Sequence, residues 1–290
     1  MSRWTGVVAV DGNAFRTKGN NCVAMEAVRA RMRDLIRLWK GRPFCGIPLA
    51  AGGIALSLTA LVPARADWRS ECRQIVWVEA KTWESNTGVL RRYVREGQRW
   101  KSVGSEVPVT LGRNGLGIGE GLHREGMQGP GKVEGDRKAP AGVFPLEYGF
   151  GKKPRPKGGN SSFRFHRAES FHYWVDDPNS RFYNRWIDLR DPKVVKDWDS
   201  AEVLARPDGL YDLAIVVGHN RRAFIPGKGS AIFLHRWRAP GTPTIGCTAM
   251  DPGHLLRLWE WLDGDRRPVL VQGPGEWIRQ LRLPSGFTPE

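Results

Sequence analysis

A histidine and a cysteine twelve positions apart, His235 and Cys247, are the residues whose types and spacing point most directly to chemistry. His235 ends an apolar run, and Cys247 follows Gly246 in a loop rich in Gly, Pro and Thr. A histidine within hydrogen-bond reach activates a thiol as a nucleophile. A glycine lets the thiol and nearby backbone N–H groups face one spot, as an oxyanion hole requires. The pair therefore suggests covalent acyl transfer, and a buried thiol beside a structural histidine is the alternative.

Two further alternatives concern the same residues. His219, His235, Cys247 and His254 lie within 36 positions, but no Cys-x-x-Cys or His-x-x-x-His spacing anchors a zinc site. We therefore expect no metal, and no organic cofactor is implied. If the N-terminal region is removed on export, Cys72 and Cys247 are the cysteines that remain. Secreted proteins tend to pair their cysteines, so a disulfide between these two competes with a free nucleophile.

The elements that must position the pair are predicted to be short strands around one helix. Residues 210–217 form an apolar run that ends at Gly218-His219, and residues 230–235 form a second. Asp251-Pro252 is typical of a helix start, with a capping carboxylate and a proline at the first helical position. Residues 268–272 then predict a closing strand.

The residues between 74 and 209 also predict a β-protein. A strand is predicted over 74–83, and a hairpin over 88–94 and 99–103 with its turn at Glu96-Gly97. The glycine-rich stretch 112–135 lacks the Gly-Lys-Ser/Thr of a phosphate loop, so turns and bulges explain it better. Residues 136–145 lead into another short strand, 151–162 read as a basic surface loop, and 163–209 show few periodic signals. The prediction is a mainly β fold, a mixed sandwich or barrel, with one or few helices.

Composition places limits on the partner. The 290-residue chain carries a net charge of +15, and residues 67–290, with 35 basic and 27 acidic side chains, retain +8. That charge would suit an anionic polymer or an ordinary solvated surface. Because no basic run interleaved with aromatic residues occurs, we expect no nucleic-acid partner. Oligomeric state is not predicted.

The N-terminal region reads as a targeting segment. An uncharged apolar stretch, 45–62, follows a basic flank and precedes Ala64-Arg65-Ala66, a small-x-small site. These features predict a secretory signal over residues 1–66 that is cleaved after Ala66. An uncleaved membrane anchor is the alternative, because the stretch is borderline in length for a span. The residues before Arg33 are atypical of a signal, which favours a start at Met25 or Met32.

Several separated motifs, in order, resemble the YkuD-type L,D-transpeptidase catalytic domain. The downstream motifs include His219-Asn-Arg, Gly229-Ser-Ala-Ile-Phe-Leu-His235 and Thr244-Ile-Gly-Cys247. The segments Lys132 to Phe144 and Asp176 to Asn184 resemble the same family, in a branch that carries the Gly-Ser-Ala-Ile-Phe-Leu-His strand. The similarity spans roughly residues 74–272, and implies a catalytic domain over 67–290.

The resemblance implies a role for each matched residue. Cys247 would be the nucleophile, His235 its base, and the backbone around Gly246 the oxyanion site. Arg236 would orient the imidazole through its carbonyl, and it joins His219 and Ser230 in the substrate-binding set. The implied function is a cell-wall L,D-transpeptidase of the periplasm or cell envelope, which acts on peptidoglycan stem peptides, releases a terminal D-alanine and forms a cross-link.

The sequence departs from the family at one informative position. The familiar motif has a histidine before the glycine, where this chain has Ile245. This change affects the environment of the acyl acceptor more than it affects the attack of the Cys247 thiol on the substrate carbonyl. A carboxypeptidase or peptidoglycan hydrolase of the same fold therefore remains an alternative. A non-catalytic wall-binding module is another, since basic charge and 13 tryptophans would suit one.

Overall fold

The computed structural model describes residues 67–123 and 126–289. The predicted signal segment, its cleavage site and the alternative starts at Met25 and Met32 lie outside the described residues. The helices of the described part are too short or too polar to cross a lipid bilayer.

Short strands dominate this part of the chain. In chain order the strands are β1 (Gln74–Ala80), β2 (Thr87–Glu96), β3 (Arg99–Ser102), β4 (Val107–Thr110), β5 (Leu116–Ile118), β6 (Ala139–Gly151), β7 (Phe165–Arg167), β8 (His172–Val175), β9 (Arg185–Asp188), β10 (Ala201–Val203), β11 (Ala214–Val217), β12 (Phe233–Arg236), β13 (Thr248–Met250) and β14 (Val269–Pro274). The helices are α1 (Trp68–Glu71), α2 (Pro252–Trp261) and α3 (Gly275–Ile278), with a 3-10 helix at Gly264–Arg266.

Eight of the strands close into a barrel in the order β1-β14-β6-β11-β12-β13-β4-β2, and β2 pairs again with β1. Most neighbours are antiparallel, and the two parallel pairs of the barrel are β1 with β14 and β12 with β13. Full closure leaves the barrel without the unpaired edges that make open sheets prone to aggregation. The predicted mainly β fold with few helices is confirmed.

The core of the described residues has three hydrophobic clusters, and the alternation of side chains along the barrel strands β11 and β12 distributes their residues between the two larger ones. In β11, Ile215 packs into the larger cluster and Val216 into the smaller one. In β12, Leu234 joins the larger cluster and Phe233 the smaller. Successive residues of a strand point to opposite faces, so His235 lies on the same face as Phe233. The smaller cluster also contains Cys247, which places both chemically interesting side chains on this face.

A second, three-stranded sheet in the order β10-β8-β9 covers this smaller cluster. Trp174 of β8 is fully buried there, and its ring centroid lies 5.0 Å from that of Phe233. The sheet lies within residues 163–209, where the sequence showed few periodic signals. Strands of three or four residues are too short to display a clear period of two, which explains why they were missed.

Other sequence predictions differ from the structure at their boundaries. The hairpin of β2 and β3, the basic loop and the closing strand are confirmed. The strand expected near Pro145 is longer than predicted, because β14 pairs with its first half and β11 with its second. The strand predicted over 230–235 begins only at Phe233, because Ala231 adopts a left-handed conformation with a φ of 53°.

Helix α2 begins where the sequence predicted. Asp251 caps it, since its carboxylate accepts hydrogen bonds from the N–H groups of Gly253 (2.8 Å) and His254 (3.3 Å). Leu255, Leu258 and Trp259 form its buried face. The cap lies directly after β13 and therefore fixes the chain direction just beyond the cysteine.

We expect Asp251→Ala to lower the free energy of unfolding by about 1 kcal/mol, because two helix N–H groups lose their acceptor. Asp251→Asn, which keeps an acceptor oxygen, should retain most of the stability. Urea denaturation of the two variants and the wild type measures the difference. Equal stability of the alanine and asparagine variants would contradict this role for the cap.

Candidate active site

The parallel register of β12 and β13 brings Cys247 and His235 together. Leu234 is opposite Thr248 and His235 is opposite Ala249. The residue before Thr248, Cys247, therefore lies beside the residue before Leu234, Phe233. The backbone N–H of Phe233 donates to the sulfur of Cys247 at 3.4 Å. Cys247 and His235 therefore occupy diagonal positions on one face of adjacent strands, a placement that their spacing in sequence could not establish.

Both side chains line one cavity of about 260 Å³, and both are largely buried, at 9% and 7% exposure. The Cys247 thiol faces the carbonyl of Ala231, with 3.5 Å between sulfur and oxygen. Cys72 and Cys247 are both free. The disulfide alternative is therefore wrong for this structure.

The tautomer of His235 is fixed by its neighbour. Its Nδ1 lies 2.7 Å from the carbonyl oxygen of Arg236, and a carbonyl can only accept, so Nδ1 carries the proton. In the neutral ring, Nε2 is then the proton acceptor. The ring of Tyr211 packs edge-on against the imidazole, 5.5 Å between centroids, and Tyr211 is itself buried.

Burial controls the charge state of the pair. It raises the pKa of the Cys247 thiol to about 12, an effect that the Phe233 N–H and the charges of Lys132 and Arg206 oppose and that of Glu202 reinforces. Burial also lowers the pKa of His235 to about 4. The resting pair is therefore a neutral thiol and a neutral imidazole that line the same cavity.

The turn before the cysteine requires glycine. Gly246 has a φ of 146°, in the region that side chains disfavour. Its N–H donates to the hydroxyl of Thr244 at 3.1 Å, and that hydroxyl donates to the carbonyl of Cys247 at 2.6 Å. In this arrangement the Gly246 N–H is engaged by Thr244, while the neighbouring Ile245 is 77% exposed at the rim of the cavity.

Ser230 lies on the cavity wall, but its hydroxyl is turned to a carboxylate that the sequence analysis did not single out. Ser230 donates to Glu134 at 2.7 Å, and the Tyr183 hydroxyl donates to the same oxygen at 2.5 Å. Glu134 therefore presents a fixed carboxylate to the cavity. It is separated from Ser230 by 96 positions, so no local pattern could have linked the two.

Further charged groups line the wall between the barrel and the small sheet. Arg206 bonds to Glu202 at 3.1 Å and to Asp208 at 2.7 Å. Burial raises the pKa of both Asp176 and Glu202. In the sequence, Asp176 stands out only as part of the family motif. Glu202 and Arg206 lie within residues 163–209, which show few periodic signals.

His219 lies behind the wall and not among the residues that line the cavity. Its Nε2 donates to the carbonyl of Lys228 at 3.0 Å, and its ring packs edge-on against Phe144. Burial and the nearby charge of Lys132 lower the pKa of His219 to about 3. Its geometry is that of a neutral brace. In the described residues, no group of three or more potential ligands is arranged to hold a metal ion.

Residues 82–271 match the family of the YkuD L,D-transpeptidase catalytic domain. The match covers well over half of the chain, and the protein belongs to this family. No curated protein matches the chain.

Solved structures that match the chain include Bd1075 from Bdellovibrio bacteriovorus, at 15% identity and a TM-score of 0.33 over 70% of this chain and 49% of that one. Pgp2 from Campylobacter jejuni, described as a helical cell shape determining protein, is 14% identical with a TM-score of 0.33, over 70% of this chain and 48% of that one. The chain thus spans about half the length of the structures that it matches.

We expect the imidazole of His235 to titrate near pH 4 in the folded protein, because burial disfavours its charged form. The unfolded chain takes up this proton near pH 6.5. His235 should therefore contribute stability above that pH, and this stability should be lost as pH falls toward 4. Histidine NMR spectra recorded against pH, assigned with His235→Gln, give the midpoint. A midpoint at or above 6.5 would refute the neutral resting pair.

Proposed function

We propose that the protein is a cysteine-dependent L,D-transpeptidase, which transfers an acyl group of peptidoglycan stem peptides through Cys247. Membership of the family supports this reaction class. The observation that carries the proposal is the placement of Cys247 and His235 on one strand face, in one cavity, with the proton of His235 held at Nδ1. A purely structural histidine would not need to share a cavity with a thiol while its Nδ1 proton is held by a backbone carbonyl.

In the first half-reaction, Nε2 of His235 accepts the thiol proton as the sulfur of Cys247 attacks the carbonyl carbon of the stem's third residue. The tetrahedral oxyanion is stabilised by backbone N–H groups around Gly246 and Cys247. For the Gly246 N–H to contribute, its bond to Thr244 must be given up. The C–N bond then breaks, the imidazolium returns its proton to the leaving amine, and D-alanine departs from a thioester.

In the second half-reaction, an amine of a neighbouring stem attacks the thioester carbonyl. His235 takes the amine proton, the new amide forms a cross-link, and the thiolate leaves and is reprotonated. If water attacks instead, the product is a trimmed peptide and the activity is that of a carboxypeptidase. No step requires a metal or an organic cofactor.

The remaining site residues have indirect roles in this proposal. Ser230 would act on substrate through Glu134, whose carboxylate it orients. Arg236 would act through the carbonyl that fixes His235, and His219 would brace the loop that carries Lys228. With peptidoglycan as the partner, the protein would act in the cell envelope, as the predicted export signal also implies.

The test is mass spectrometry of the purified protein after exposure to a carbapenem, followed by incubation of fresh protein with tetrapeptide stems. Wild type should gain the mass of one acyl adduct and release D-alanine. Cys247→Ala should form no adduct and should lose activity at least about a thousandfold, since the nucleophile is gone. His235→Gln should lower the acylation rate by about a hundredfold or more, because general base assistance is lost.

Cys72→Ala is the matched control, because it removes the other buried thiol of the described chain and should keep the adduct. Stem incubations with and without an amine acceptor then separate the two outcomes of the thioester. Trimmed monomers in both incubations would refute the transferase and favour the carboxypeptidase. Full activity in Cys247→Ala would refute the nucleophile itself.

A further inference from the structure

The cavity wall beside the thiol contains a backbone conformation that its residue disfavours. Ala231 has a φ of 53°, although a left-handed conformation is unfavourable for alanine. Ala231 lines the cavity, and its carbonyl oxygen lies 3.5 Å from the sulfur of Cys247. Strain of this kind persists only where surrounding structure holds it in place.

The group that holds Ala231 is the side chain of Asn184. This buried amide accepts hydrogen bonds at Oδ1 from the N–H of Ala231 (3.2 Å) and from the indole of Trp174 (2.9 Å). Its Nδ2 donates to the carbonyls of His219 (3.1 Å) and Asn220 (3.0 Å). Asn184 thus joins the small sheet, through Trp174, to both ends of the loop between β11 and β12.

The four contacts use the full hydrogen-bonding capacity of an amide group. They fix its orientation, since a flipped amide would set its NH₂ against two N–H donors and its oxygen against two carbonyls. The rigid amide therefore defines where the N–H of Ala231 must lie. Because that N–H and the carbonyl of Ala231 belong to one strained residue, the direction of the carbonyl is defined as well.

We propose that Asn184 is a positioning residue of the catalytic centre, which holds Ala231 in its left-handed conformation and so keeps the Ala231 carbonyl directed at Cys247. This role rests on the proposed function, because it matters only if Cys247 is the nucleophile. Without Asn184, Ala231 relaxes toward negative φ, and the wall beside the sulfur loses the geometry in which the thiol is held.

The test uses a substitution that relieves the strain at the neighbouring residue. Asn184→Ala should lower the rate of Cys247 acylation by a carbapenem about tenfold or more. Adding Ala231→Gly to that variant should recover much of the loss, because glycine adopts positive φ without the penalty that alanine carries. A purely structural role of Asn184 predicts no such recovery. Rates are normalised to the folded fraction from circular dichroism.

Asn220→Ala is the matched control. Asn184 and Asn220 are both buried asparagines with positive φ (57° and 51°), but the side chain of Asn220 bonds to Ile225 and Gly229 and not to Ala231. Adding Ala231→Gly to Asn220→Ala should bring no recovery of any rate that is lost. If Asn184→Ala does not fold, the same comparison is made with Asn184→Ser, a smaller perturbation.

The outcomes separate this inference from the proposed function. If wild type forms no acyl adduct, the proposed function fails. If wild type is acylated but Asn184→Ala reacts within twofold of it, or Ala231→Gly brings no recovery, the positioning role is refuted while the nucleophile stands.

Discussion

The parallel pairing of β12 with β13 is the constraint on which the site depends. In a barrel whose neighbours are mostly antiparallel, this pair runs in the same direction, and the loop between the two strands must cross back over the barrel. The loop places Cys247 directly before β13 and beside Phe233, which lies two residues before His235 on β12. A shift of one residue in this register would turn the thiol to the opposite face, into the larger core cluster.

Burial explains why the thiol and the imidazole are neutral, and it also explains why the residues around them must hold them in a fixed geometry. A buried thiol and a buried imidazole are both neutral, so the proposed reaction would depend on geometry that allows a proton to move between them, more than on a preformed ion pair. Such geometry has to be rigid. Two backbone groups contact the sulfur, Tyr211 packs against the imidazole, and the small sheet closes over the cluster from the outside.

The sequence predicted the parts of this arrangement that have local signals. Apolar runs revealed β11 and β12, a capping aspartate revealed α2, and a glycine beside a cysteine marked the turn. The carboxylate of Glu134 and the amide of Asn184 could not be found in the same way. Ser230 lies 96 positions from Glu134 and Ala231 lies 47 positions from Asn184, and only the closure of the barrel and the packing of the small sheet bring these residues together. The sequence did not predict the short strands β8 to β10, because three or four residues are too few to show the period of two that marks a strand.

The protonated state of the buried thiol has a consequence for chemical survival. Oxidation of a thiol to sulfenic acid and its exchange with a disulfide both proceed through the thiolate. A cysteine whose pKa is raised to about 12 exposes almost none of that species at neutral pH. Outside the cytoplasm, where we propose that the protein acts, such a thiol would persist unpaired among oxidants. In the proposed reaction, the burial that would make Cys247 dependent on His235 would also protect the thiol between turnovers.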